Sequence, residues 1–389
     1  MARPADQLAS IDRLGALLVA VGVGVLACLP FVLVKANRIV PGVPRSLLAS
    51  TPPPGAWGCL AALLLAALVA LVIRKPRLRL TAALVGLIAL ALAVAAAGDA
   101  LTPPDNRVVR ISPGPAFWVL LVCLGLMATD AITRMRPGPT QRVAWLAGFL
   151  AIAILVLGSG TFDHLSVMRE YAVNAERFSR EFARHVLLAA GSLGAAIVVG
   201  LPLGVVCYRV PRVRAGILGT LNVIQTVPAI ALFGILMAPL GALAAAVPLA
   251  ARLGIRGIGA APAVVALFLY SLLPIVANTV AGLDRVSRSA VEAARGMGMT
   301  PWQVLSRIEL PLALPVIVTG IRVVLVQNIG MVTVAALIGG GGLGTFVFQG
   351  IGQTAIDLVL LGAIPIVALA FSAAVVLDAL VEVMDRVRR

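Results

Sequence analysis

The sequence predicts an all-α, polytopic transmembrane fold of about ten helical spans. Three observations predict it. Hydrophobic residues make up 61% of the 389-residue chain and charged residues only 12%, with a mean hydropathy of +1.06, whereas soluble domains carry about 25% charged residues. Ten apolar runs follow one another along the chain, most near the ~20 residues that cross a hydrocarbon core. Breaks such as Pro52-Pro53-Pro54, Pro113-Gly114-Pro115 and Pro137-Gly138-Pro139 separate them, and such clusters are loop signals. A single soluble core cannot hide this much apolar surface, but helices in lipid satisfy their own backbone groups.

In order, the predicted spans are residues 14–34, 57–73, 80–98, 116–132 and 143–158, then 186–208, 217–240, 260–282, 314–338 and 358–381. The first is long, lacks a small-residue cleavage site and precedes nine more, so it reads as a retained helix rather than a signal peptide. An even number of spans puts both termini on one side. With the N-terminus inside, inner segments hold nineteen Lys and Arg, including Arg3, Arg13, Arg74, Lys75, Arg134, Arg209, Arg214, Arg388 and Arg389. Outer segments hold eleven, including Lys35, Arg38, Arg45, Arg107 and Arg110. That bias places both termini in the cytoplasm.

Composition also excludes function classes. The only lysines are Lys35 and Lys75, and neither lies in a phosphate-cradling G-x-x-x-x-G-K-[ST] setting, so the chain is not expected to hydrolyse ATP itself. Two histidines, His164 and His185, are too few for a zinc or haem centre, and no metal or other cofactor is expected. Cys28, Cys59, Cys123 and Cys207 sit far apart in apolar runs and read as packing residues. The net charge of +15 comes from arginines in short loops between spans, a topology signal rather than a nucleic-acid surface.

The two halves differ. Residues 1–160 form a five-span extension whose spans are almost purely Ala, Leu and Val. Residues 161–185 read as an external amphipathic segment, with His164 in a loop and His185 at a helix end. Residues 186–389 form a core with polar groups at membrane depth. There Asn222, Gln225, Thr226, Pro228, Tyr270, Asn278, Gln327 and Asn328 are candidates for a translocation path, because polar residues in hydrocarbon are costly unless buried or wet. Interhelical hydrogen bonding is the alternative role for the same residues. Arg322 reads as a snorkelling or structurally paired cation. The glycine run at 339–344 reads as a tight outer turn, since no strand precedes it as a dinucleotide loop would require.

The longest inner loop, residues 284–313, carries two short helices. Ser289 with Glu292 has capping-box spacing, and so has Thr300 with Gln303, with Pro301 at the first helical position. Gly296 and Gly298 end the first helix and permit a left-handed turn. Pro311 and Pro315 mark the return to the membrane. A compact helix–turn–helix on the inner face suits docking to a partner protein.

Glu292-Ala293-Ala294, Gly298, Ile308 and Leu310-Pro311 resemble, at every fixed position, the EAA loop of ABC-importer permeases, which docks on the ATPase subunit. The resemblance makes these residues, with the exposed Trp302, the coupling loop. Residues 222–228, 269–279 and 338–344 are similar to the osmoprotectant branch, which imports glycine betaine, choline, carnitine or proline. The likeness covers roughly residues 178–389, and the extra N-terminal spans resemble the YehY type of glycine betaine permease.

The resemblance implies a type I permease subunit in the bacterial inner membrane, not an enzyme. It implies ABC ATPase subunits that use the ATP, a second permease of the same or a sister chain, and a periplasmic solute-binding protein. Aromatic residues are only 5% of the chain, too sparse for an obvious cage around a quaternary ammonium group, so tight recognition is expected on the binding protein. Alternatives are an importer of another small solute, such as a sulfonate or amino acid, or an ion-coupled secondary transporter. Against the latter, no span has an Asp/Glu/His relay in its middle. An intramembrane enzyme would need a Ser/His/Asp or paired-Asp constellation at one depth, and none is apparent.

Overall fold

The computed structural model describes residues 12–37, 40–103 and 108–386. Arg3, Arg38, Arg107, Arg388 and Arg389, which enter the orientation count, lie outside the described residues. The chain divides into two compact units: Met1–Gly138 with Gly148–Val173, and Pro139–Ala147 with Asn174–Arg389.

The first unit holds α1 (Arg13–Cys28), β1 (Val32–Lys35), β2 (Val43–Arg45), α2 (Leu47–Ser50), α3 (Pro53–Val72), α4 (Pro76–Leu101), β3 (Arg110–Pro113), α5 (Pro115–Met135) and much of α6 (Pro139–Gly158). Helices α3 to α6 each begin at a proline, the one helical position where its missing N–H costs nothing. Phe31, Leu63, Leu90, Leu120 and Leu124 form the core, while Leu64 and Leu68 face outward.

The predicted first span is helical only to Cys28. Pro30 cannot continue a helix, and the β-branched run after it pairs instead, with Val32 opposite both Arg45 and Pro113 in an antiparallel sheet of order β2-β1-β3. This sheet is absent from the sequence expectation, because strands of three or four residues show too little alternation to read. Nine helices among the described residues are long and apolar enough to cross a membrane. The sixteen residues of α1 reach about 24 Å, short of a ~30 Å core. Even so, α1 joins both ends of its unit. Asp12 pairs with Arg79 and Arg134 at one end. At the other, the Gly114 N–H donates to the Phe31 carbonyl at 2.7 Å, an approach that leaves no room for a Cβ on Gly114.

The second unit runs from the later part of α7 (Ser166–Arg209) through α8 (Pro211–Thr226), α9 (Ala229–Ala246), α10 (Pro248–Arg252), α11 (Ala260–Asp284), α12 (Arg288–Gly296), α13 (Pro301–Val304), α14 (Leu310–Ala335), α15 (Gly344–Gly352) and α16 (Ile356–Arg386). The pair α11 and α14 forms its centre. Gly282 sits against Ala313, and Gly320 against Asn278, with no space for a Cβ at either glycine; small residues let membrane helices approach closely.

Three expectations change here. The external segment 161–185 is not separate from the next span: its helix continues as α7, because no Gly or Pro interrupts residues 166–190. His185 is therefore mid-helix and fully buried, not at a helix end. The predicted span 217–240 is broken at Val227-Pro228. Val227 is extended (φ −70°, ψ 127°), as a residue before proline prefers, and α9 then runs on to Ala246. Finally, the inner loop expected to run to residue 313 ends earlier, and Pro311 and Pro315 lie inside the helix that returns to the membrane. α13 passes through a π-helical turn (Leu305–Glu309) straight into α14. Pro311 lacks the N–H that would continue an α-helical ladder, and the π turn, in which the Leu310 N–H reaches the Leu305 carbonyl, sits just before it.

Candidate functional site

The loop between α11 and α14 is built by its caps. The Ser287 hydroxyl accepts the Ala290 N–H at 3.3 Å and caps α12. Ser289, the expected cap, is two residues into the helix, so no box joins it to Glu292. The Thr300 and Gln303 box forms as expected: the Thr300 hydroxyl accepts the Gln303 N–H at 3.3 Å, and the Gln303 side chain accepts the Thr300 N–H at 2.8 Å. Between them, α12 ends in a Schellman motif. The Met299 N–H reaches the Ala294 carbonyl and the Gly298 N–H the Arg295 carbonyl, with Gly298 at φ +81°. Gly296 is the last residue of α12 and has no left-handed conformation.

These caps divide the loop into an anchored side and a free side. Ala294 and Val304 are buried, Ile308 and Leu310 half-buried. Glu292, Ala293 and Pro311 are exposed, and Trp302 and Met297 are each 71% exposed. A tryptophan this bare on an ordered helix is the kind of residue that anchors an interface.

Both ends of the loop are tied to the α7–α8 turn. Asp284, at the end of α11, pairs with Arg214 of α8 at 3.0 Å. Glu309, at the end of the π turn, is 1% exposed and pairs with Arg209 of α7, while the Tyr208 hydroxyl donates to it at 3.3 Å. Sequence reasoning misses this clamp. The partners lie 100 residues apart, and Glu309 occupies the unspecified position between Ile308 and Leu310. Its one signal is a carboxylate just ahead of an apolar span.

The polar residues of the core fall into separate groups. Gln225 donates to the Tyr270 carbonyl at 2.8 Å, and the Tyr270 hydroxyl donates to the Val227 carbonyl, so the break before Pro228 is held against α11. Asn222, Thr226 and Pro228 remain exposed on α8 and at the start of α9. Asn328 is apart from them, fully buried, donating to the Ser192 and Ser271 hydroxyls at 3.0 Å each; it joins α7, α11 and α14. Asn278 bonds its own helix at the Pro274 carbonyl, and Gln327 reaches the Met331 sulfur.

The glycine turn at 339–344 is held by α7. Glu181 accepts the Gly342 N–H at 2.6 Å, and His185 Nδ1 accepts the Leu343 N–H at 3.3 Å. With Nδ1 accepting, the proton belongs on Nε2, which donates to the Ile329 carbonyl at 3.0 Å. Arg322 pairs with Asp378 of α16.

Comparison with known proteins decides what carries this loop. Residues 12–168 match the N-terminal domain profile of the ABC transporter permease YehY, and residues 196–389 match the binding-protein-dependent transport system inner membrane component. The osmoprotectant import permease protein OsmW of Salmonella typhimurium is 45% identical over 187 residues, 48% of this chain and 82% of that protein. The choline transport system permease protein OpuBD of Bacillus subtilis is 36% identical over 224 residues, 57% of this chain and 92% of that protein.

The chain belongs to this family of ABC transporter permeases.

A chain of the MetNI methionine ABC transporter, crystallised in an inward-facing conformation, aligns at 22% identity with a TM-score of 0.47, covering 53% of this chain and 95% of that one. As a permease the chain is a multi-pass transport component, not a catalyst. Family membership brings the need for an ATPase and a binding protein. The exposed residues of α12 and α13 lie on either side of the Gly298 turn, and α13 runs on through the π turn into α14 and the polar core.

Proposed function

We propose that this permease is the membrane subunit of an ATP-driven importer for glycine betaine or a related osmoprotectant. Two ATPase subunits would dock on the loop at 284–313, a second permease of the same or a sister kind would pair with the core, and a periplasmic binding protein would deliver solute. Both termini would lie in the cytoplasm. The observation that carries this reading is the loop itself: an ordered, doubly capped surface with Trp302 and Met297 bare, clamped at both ends and continuous with α14.

The mechanism follows from that continuity. A pull on α12 and α13 is transmitted through the π turn into α14 and, through Arg209 and Arg214, into α7 and α8. α8 ends at the break before Pro228, where Asn222 and Thr226 are exposed and offer solute a weak polar path. Glu292 makes no ion pair among the described residues and is free to meet an arginine of the ATPase. The relatives named for osmoprotectant and choline support the substrate class.

The test is uptake of labelled glycine betaine into proteoliposomes holding the permease, its ATPase and its binding protein. ATP-dependent accumulation of unmodified solute is expected. Accumulation that follows an ion gradient without ATP would overturn the reading, and uptake of a different solute alone would overturn the substrate.

A further inference from the structure

We propose that the N-terminal unit holds an anionic phospholipid, its acyl chain in a cleft between α1, α3 and α5 and its phosphate at the N-terminus of α4. This goes beyond the transport reading and does not depend on it.

The cleft has a volume of about 80 Å³ and an almost wholly apolar lining that includes Leu18, Leu26, Leu60, Ala67, Cys123 and Met127. Its lining residues Leu18, Ala70 and Met127 lie toward the end of the bundle where charge collects. There the turn joining α3 to α4 exposes Arg74, Lys75 and Arg77, with Arg13 and Arg136 exposed on neighbouring elements. The acids at that end, Asp12 and Asp130, are already paired with Arg79 and Arg134.

Two further observations point to an anion. α4 is 26 residues long, yet its N-terminus has no side-chain cap and no acidic residue in its first turn; the N–H groups and dipole of such an end attract phosphate. Arg79, in that same first turn, is fully buried. It pairs through Nη1, but its Nε and Nη2 find no hydrogen-bond partner among the described residues. Buried polar groups left in that state are rare and costly. The Nη2 lies 3.5 Å from where a Cβ on Gly15 would stand, a point that also abuts the carbonyl of Ala70, a cleft residue. Arg79 thus lies beside the contact between α1 and α3 that borders the cleft. Basic pockets between membrane helices recognise anionic headgroups. A free phosphate would match the cations but leave the apolar cleft unexplained, so the ligand is a phospholipid.

The full-length chain would be placed in nanodiscs of equal phosphatidylglycerol and phosphatidylcholine, extracted in mild detergent, and its retained lipid identified by mass spectrometry. Phosphatidylglycerol should be enriched several-fold over phosphatidylcholine. The double variant Lys75→Gln with Arg77→Gln should bring the ratio back to that of the mixture. So should Ala67→Phe, which fills the cleft and leaves every charge in place. Arg79 is left unchanged because it is fully buried and paired with Asp12 and Asp130, and circular dichroism would check that both variants keep their helix content. No enrichment in the unaltered chain would overturn the proposal. Enrichment that survives Ala67→Phe would also overturn it, since a diffuse basic surface would then be enough.

Discussion

The carboxylate of Glu309 and the guanidinium of Arg209 form a buried-to-surface ion pair that joins the end of the loop between α11 and α14 to the end of α7. Glu309 is 1% exposed and Arg209 33%, and the Arg209 guanidinium also lies over the Tyr208 ring at 5.5 Å. Removing one partner of a buried pair costs about 3–5 kcal/mol. Water reaches Arg209, so a smaller loss, about 2 kcal/mol, is expected for Arg209→Gln. The larger effect should fall on coupling. In the reconstituted importer, Arg209→Gln and Glu309→Gln should each lower solute uptake far more than ATP hydrolysis, because the proposed ATPase surface on α12 and α13 is untouched. Exchanging the two residues should recover part of the uptake. Equal loss of both activities would show that the pair only supports folding.

Gly298 separates backbone conformation from sterics. Its φ is +81°, and a Cβ built there would meet nothing within 4 Å. A substitution therefore costs only what the left-handed backbone imposes, about 1–2 kcal/mol for an ordinary residue and more for a β-branched one. Gly298→Val should weaken recovery of the ATPase with the purified permease, and Gly298→Asn should largely keep it. If both lose the ATPase equally, the space beside Gly298 is filled by the partner, and contact rather than conformation sets the loss.

Local chemistry was legible in the sequence, and long-range pairing was not. The spans followed from apolar runs, and the Thr300–Gln303 box from its spacing. The family resemblance followed from Glu292, Gly298 and Pro311. The left-handed turn is readable from the two glycines, but the spacing does not tell that Gly298 alone adopts it while Gly296 only ends the helix. Ser289 has capping-box spacing to Glu292, yet Ser287 is the cap, because only the backbone decides which serine lies outside the helix. The continuity of α7 was hidden by a composition change at residue 185. A helix ignores composition when nothing breaks it, and its polar half is held by bonds such as Glu181 to Gly342. The clamp at Arg209 and Arg214 required knowing which spans are neighbours, and a single sequence does not encode that in any spacing.

Asn328 tests whether a buried polar residue in this core is structural. Its amide joins Ser192 and Ser271, but each hydroxyl also bonds a carbonyl of its own helix, Leu188 and Leu267 respectively. Replacement by Leu therefore leaves no hydroxyl proton without an acceptor. Hydrogen bonds between membrane helices average about 0.6 kcal/mol, so Asn328→Leu should cost about 1 kcal/mol at most and leave uptake near normal. Asn328→Asp would bury a carboxylate beside two hydroxyls with no cation among the contacts, and should prevent stable folding. Thermal unfolding in detergent, followed by uptake in proteoliposomes, measures both. A large loss of uptake in a well-folded Asn328→Leu would place this residue on the solute path.

Asp12 gives the N-terminal unit an acid-labile tie. Burial raises the pKa of its carboxyl, but the hydrogen bond and charge of Arg79, the charge of Arg134 and the Leu14 N–H outweigh it, so the group lies below its ordinary value of 3.8. Asp130 faces the same two arginines and is the other carboxylate of the cluster. A depressed folded-state pKa means that the folded protein holds the ionised form more strongly than the unfolded chain does. The resulting stability is complete above the unfolded pKa and is lost as pH falls through the lower, folded value. Between pH 7 and 5 the melting temperature should therefore be insensitive to this group, and below about pH 4 it should fall. Asp12→Asn should be less stable than the unaltered chain at pH 7, with the difference narrowing as pH drops below 4. Melting curves of the two proteins at matched pH read the effect directly. A difference that stays constant across that range would mean that Asp12 acts by shape and hydrogen bonding, with its charge contributing nothing to the hold on Arg79.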